Sequence, residues 1–116
     1  MTSSLIDNAF KKCRAERRPA LLTYTVAGDP TKKKSLDILK AISKNVDIIE
    51  SGMAFSTPIA DGGDIQTSAH RAIQAGINLN ETFKIIKKFK KIEYSKPVIL
   101  MGYWNLILQF NENKFI

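Results

Sequence analysis

Asp47, Glu50, Asp61 and Asp64 stand in one stretch, Val46 to Gln66, that contains no Lys, Arg or His. Glu50 directly follows Ile48-Ile49. A carboxyl group on a buried strand is desolvated and its proton affinity rises towards neutrality, which suits general acid–base catalysis. Position alone equally allows Glu50 to face a loop and accept hydrogen bonds from backbone N–H groups. Asp61, between Ala60 and Gly62, has the residue type of an Asx turn, and Asp64 suits a helix cap. His70 has no second His or Cys near it, so no metal site is expected. The lone Cys13 excludes an internal disulfide and a Cys-based metal site, which suits a reducing cytoplasm.

Such groups act only if strands and helices bring them together. The hydrophobic period switches repeatedly along the chain. Leu5, Ala9 and Cys13 predict a helix over 3–16, and Ala20 to Val26 predicts a strand buried on both faces, ended by Ala27-Gly28-Asp29-Pro30. Leu36, Leu39 and Ile42 predict a helix over 31–44, capped by Asp29 or Thr31. Val46 to Glu50 predicts a second strand, and Met53 to Ile65 a long loop of the kind that often carries function. Gln66 to Gln74 is helix-compatible. Asn78-Leu79-Asn80-Glu81 predicts a capping box, opening a helix with Leu79, Phe83, Ile86 and Phe89 inward. Pro97 to Met101 predicts a third strand, and Glu112 to Ile116 the start of another helix.

Strands alternating with amphipathic helices indicate a parallel sheet of right-handed βαβ units, either an open sheet or part of a (β/α)8 barrel. In both, function gathers at the carboxyl ends of strands. That places Gly28-Asp29, Glu50 and Gly102-Tyr103-Trp104-Asn105 as candidates. No G-x-G-x-x-G follows the first strand, so the dinucleotide fingerprint is absent.

At 116 residues the chain is one small domain or a piece of a larger one. Its 44% hydrophobic content argues against disorder. No apolar run approaches the roughly 18 residues of a membrane span, and no secretory signal opens the chain. The net charge of +7 is segmental, carried on predicted helices, with no basic-aromatic interleaving, so nucleic acid is not the expected partner.

The segment Glu50-Ser51-Gly52-Met53-Ala54-Phe55-Ser56-Thr57-Pro58-Ile59-Ala60-Asp61-Gly62-Gly63-Asp64-Ile65-Gln66 resembles that of the tryptophan synthase alpha chain family, which reads approximately E-L-G-I-P-F-S-D-P-x-A-D-G-P-x-I-Q. Tyr24 to Pro30 upstream and Leu100 to Asn105 downstream match in order and spacing, so the likeness covers essentially the whole chain. It implies a (β/α)8 TIM barrel of which residues 1–116 are the N-terminal part, with only the first three βα units present. It implies retro-aldol cleavage of indole-3-glycerol phosphate to indole and glyceraldehyde 3-phosphate. Glu50 would be the general acid–base residue, Asp61 would bind the indole N–H, and Tyr24 and Tyr103 would line the indole pocket. The implied partner is a beta chain, in an alpha2-beta2 tetramer, which holds pyridoxal phosphate; this chain itself would need no cofactor and no metal.

The departures bear on partners more than on chemistry. Ser51 stands for an apolar residue, Ala54 for Pro, Thr57 for Asp and Gly63 for Pro, and Leu106 and Asn111 replace a frequent Pro and Gly. Residues 54–57 correspond to the family's beta-chain interface. The loops that grip the substrate phosphate follow strands seven and eight of the barrel and are not in this sequence. A truncated alpha chain, inactive alone, is therefore the expectation. The competing readings are another phosphate-binding barrel of tryptophan or histidine biosynthesis and a non-catalytic interaction fragment.

Overall fold

The structure is a computed structural model and describes residues 4–115. The predicted helix start at Ser3 and helix end at Ile116 lie outside the described residues. Strands β1 (Leu22–Val26), β2 (Ile48–Gly52) and β3 (Val98–Met101) form one parallel sheet in the order β1-β2-β3. Around it lie α1 (Leu5–Ala15), α2 (Lys32–Ser43), α3 (Gly63–Gln74), α4 (Leu79–Ile92), α5 (Trp104–Phe110) and α6 (Glu112–Phe115).

The core is the layer between sheet and helices. Leu39 of α2, Ala69 and Ala72 of α3 and Ile85 and Phe89 of α4 close over Val26, Val46 and Ile49. Burying this apolar surface is what holds amphipathic helices on a short sheet. Only β2 is flanked on both sides, and Ile48 and Ile49 are both 0% exposed. The expectation that the first strand is buried on both faces does not hold: Leu22 is 40% exposed. As an outer strand, β1 has a neighbour on one side alone, and Met101 on the other outer strand is likewise exposed.

Helix starts follow local chemistry. Ser4 and Asp7 form a reciprocal capping box on α1. Thr31, rather than Asp29, caps α2 through an N–H from Lys34 at 3.2 Å. Asn78 Oδ1 accepts the Glu81 N–H at 2.9 Å, but Glu81 does not complete the box. Its carboxylate turns to Lys84 (2.8 Å) and Lys32 (3.4 Å), tying α4 to α2. That contact gives one of the three lysines opening α2 a counter-charge.

The connection from α1 to β1 is fastened at Asp47, just before β2. The Asp47 carboxylate takes two hydrogen bonds from the Arg18 guanidinium, at 2.8 and 2.9 Å, and the Leu21 N–H at 2.8 Å. Arg18 first, and the Leu21 N–H second, hold this carboxyl well below the usual carboxylate range. A depressed folded value means stability that is present above the unfolded carboxylate value and lost as pH falls through the folded one. Asp47→Asn is therefore expected to be less stable than the parent at pH 7. In urea melts the difference narrows once the pH drops below about 4.

Candidate active site

Register does the first part of the assembly. In the parallel ladder Tyr24 pairs with Glu50 and Glu50 with Ile99, while Gly52 sits between Val26 and Met101. Val26, Gly52 and Met101 close the three strands, where the β2–α3 and β3–α5 loops begin; β2 runs on to Gly52, so Glu50 stands in mid-strand two residues before its end and not at the end as the sequence predicts. There a cavity of about 330 Å³ is lined by Tyr24, Glu50, Asp61 and Tyr103, with Met53 and Met101 among its apolar walls. The four residues to which the resemblance gives site roles thus line one space.

Glu50 is half-buried, less enclosed than a strand buried on both faces would make it. Neither its carboxylate nor that of Asp61 has a hydrogen-bond or ion-pair partner among the described residues, and the alternative in which Glu50 accepts backbone N–H groups is not what the chain adopts. Burial pushes the Tyr24 phenol above its ordinary value, and the Asp61 carboxylate, the Tyr103 phenol and the Glu50 carboxylate push it the same way. The two acids therefore lie close enough to Tyr24 to act on it electrostatically.

Gly52 makes room for that ring. A Cβ there would lie 2.1 Å from the Tyr24 hydroxyl oxygen and 2.5 Å from Cζ. Gly52→Ala is expected to push Tyr24 out of the cavity and to destabilise the chain by about 1–3 kcal/mol. Urea denaturation of the purified protein measures it.

The loop bearing Asp61 is shorter than the sequence suggests, because α3 begins at Gly63 with Gly62 as its N-cap. Asp64 falls in the first helical turn and is not the cap; as an acid there it complements the helix dipole. The loop turns through Ile59 N–H to Thr57 O (2.9 Å) and Asp61 N–H to Pro58 O (3.2 Å). From the β3–α5 loop, Tyr103 accepts the Ala60 N–H on its hydroxyl at 2.8 Å and packs its ring against Phe55, centroids 5.1 Å apart. Gln66 Nε2 donates to the Asp61 carbonyl at 2.7 Å. Gln66 belongs to the matching segment, but nothing in its residue type marks it for this contact.

The remaining candidates lie apart. Asp29 turns to α3, where its carboxylate receives both Nε and a terminal nitrogen of Arg71 at 2.8 Å and the Ser68 hydroxyl. The Arg71 guanidinium, chiefly, holds Asp29 below its ordinary value. This pair clamps the β1–α2 turn to α3 rather than lining the cavity. Trp104 and Asn105 are exposed in the first turn of α5, and His70 is exposed on α3. Among the described residues no cluster of His, Cys, Asp and Glu is arranged to hold a metal ion, and no helix is long and apolar enough to cross a membrane.

Comparison with known proteins bears on the family and the fold. The profile of the tryptophan synthase alpha chain family matches residues 10–116. The tryptophan synthase alpha chain of Pelagibacter ubique (strain HTCC1062) is 63% identical over 113 residues, which is 97% of this chain and 43% of that protein. The crystal structure of tryptophan synthase subunit alpha from Legionella pneumophila superposes with a TM-score of 0.94 at 33% identity, over 98% of this chain and 44% of the other. A mutant tryptophan synthase alpha-subunit from the hyperthermophile Pyrococcus furiosus gives 0.79 at 42% identity, over 83% and 39%. The chain thus spans less than half the length of these relatives, and its fold is that of the first three βα units of a (β/α)8 barrel. Sequence, sheet and relatives agree that this chain belongs to the tryptophan synthase alpha chain family.

Proposed function

We propose that residues 1–116 are the N-terminal part of a single TIM-barrel domain and carry the acid–base face of a lyase. The reaction is retro-aldol cleavage of indole-3-glycerol phosphate to indole and glyceraldehyde 3-phosphate. The observation that supports it is the pair of unpartnered carboxylates, Glu50 and Asp61, facing one cavity between two tyrosines.

Cleavage breaks the bond between indole C3 and the first glycerol carbon. C3 must gain a proton, and the hydroxyl on that carbon must lose one as it becomes the aldehyde. Glu50 serves as the acid towards C3 and the base towards the hydroxyl, so its proton count is restored in each turnover. Protonating C3 leaves positive charge on the ring nitrogen, and Asp61 accepts the N–H and stabilises that charge. When the bond breaks, its electrons return to the ring. Tyr24 and Tyr103 offer flat, partly apolar walls to the indole.

The phosphate is held by loops beyond β3, so the 116 residues alone lack that grip. The partner is a beta chain in an alpha2-beta2 tetramer, whose pyridoxal phosphate consumes the indole; this chain uses no cofactor or metal, and the setting is cytoplasmic. Ala54 and Thr57 place neither an imino ring nor a carboxylate at the family's docking segment, which weakens that interface rather than the chemistry. The test compares residues 1–116 alone with a completed barrel, in which they are continued by the remainder of the Pelagibacter ubique chain. Indole release by the completed barrel and none by the shorter chain is expected. Turnover by the 116 residues alone contradicts the missing phosphate grip, and a silent completed barrel contradicts the reaction.

A further inference from the structure

We propose that Gln66 and Tyr103 act as a pair of positioning residues that hold the Ala60–Asp61 backbone, and through it the Asp61 carboxylate, in line with the substrate ring. This rests on the reading of Asp61 given above. The loop segment that carries Asp61 is largely exposed and lies outside the apolar core. Three backbone groups of Ala60 and Asp61 are nevertheless held. The Ala60 N–H goes to the Tyr103 hydroxyl at 2.8 Å, the Asp61 N–H to Pro58 O at 3.2 Å, and the Asp61 carbonyl receives Gln66 Nε2 at 2.7 Å. The outer two of these bonds come from side chains on different elements, the β3–α5 loop and the first turn of α3. The Gln66 bond restrains the peptide group that follows Asp61, the Tyr103 bond restrains the Ile59–Ala60 peptide one residue ahead of it, and together they limit where the Asp61 side chain starts from.

The anchors themselves are steady. Tyr103 is pinned by its ring contact with Phe55, and α3 is fixed to the core by Ala69 and Ala72 and to the β1–α2 turn by Arg71 and Asp29. Gln66 lies outside the cavity lining, so its effect on the reaction has to pass through Asp61. A shift of about 1 Å in a reacting group is enough to cost two orders of magnitude in rate, which makes such bracing worth having.

The experiment uses the completed barrel and the variants Gln66→Leu and Tyr103→Phe, each made alone and with Asp61→Asn. Tyr103→Phe keeps the ring and removes only the hydroxyl. Each single change is expected to lower kcat by roughly tenfold, and to add little once Asp61 is already Asn. In the 116-residue chain, Tyr103→Phe is expected to speed hydrogen exchange at the Ala60 amide. Equal losses in both backgrounds, unchanged rates in the single variants, or an unaltered Ala60 amide overturn the proposal. Asp61→Asn slowing the reaction while Gln66→Leu and Tyr103→Phe do not removes the bracing alone. A rate untouched by Asp61→Asn removes the reading of Asp61 and the bracing with it.

Discussion

Glu50→Gln in the completed barrel is expected to lower kcat by roughly 10²–10⁴-fold while leaving KM nearly unchanged. Gln matches Glu in size and keeps a hydrogen-bonding end, so the cavity and the β2 register should survive. What it loses is the proton, and both halves of the cleavage draw on it. Because the Glu50 carboxylate has no ion-pair partner among the described residues, its removal leaves no stranded charge behind. The thermal midpoint should therefore stay close to that of the parent. Steady-state indole release, with melting curves for both proteins, checks the prediction. An equal fall in kcat and stability would mean that Glu50 works as a structural group.

Asp61→Asn is expected to cost about 10²–10³-fold in kcat/KM, shared between the two constants. The side-chain oxygen of Asn still accepts a hydrogen bond from the indole N–H, so part of the ground-state binding remains. The charge that balances the protonated ring is gone, and that loss falls on the transition state. The same assay measures it. A change confined to KM would make Asp61 a binding group only.

How much of this is legible in the sequence varies from element to element. The strands and α2 follow from apolar runs and stripes cut by Gly, Pro and capping residues, and Thr31 caps α2 as its residue type allows. In α4 the expected inner stripe of Leu79, Phe83, Ile86 and Phe89 is offset from the buried line Thr82, Ile85 and Phe89. Thr82 escapes a hydropathy reading because its hydroxyl donates to Asn78 O at 2.9 Å, which lets it sit at the core. Helix α5 is not legible at all: Trp-Asn-Leu-Ile-Leu-Gln-Phe shows no clear period, and only Ile107 on it is buried.

The candidate site divides along similar lines. Glu50 and Asp61 stand out by charge and position, and the resemblance adds Tyr24 and Tyr103. Local sequence does not foresee that Asp29, equally well placed after a strand, is taken up by Arg71, distant in sequence. Nor does it find Gln66 on the Asp61 carbonyl, since that contact depends on where α3 begins. Ser51, 0% exposed and with its hydroxyl unpartnered among the described residues, is a local misfit in a fold that otherwise suits an apolar side chain there.

Everything proposed for the chemistry requires the indole end of the substrate to lie between Glu50 and Asp61. A crystal structure of the completed barrel with a non-cleavable indole alkyl phosphate tests that most directly. The ring is expected between Tyr24 and Tyr103, with its N–H about 3 Å from the Asp61 carboxylate and C3 facing Glu50. A ring bound elsewhere, or one whose N–H points away from Asp61, would contradict the account.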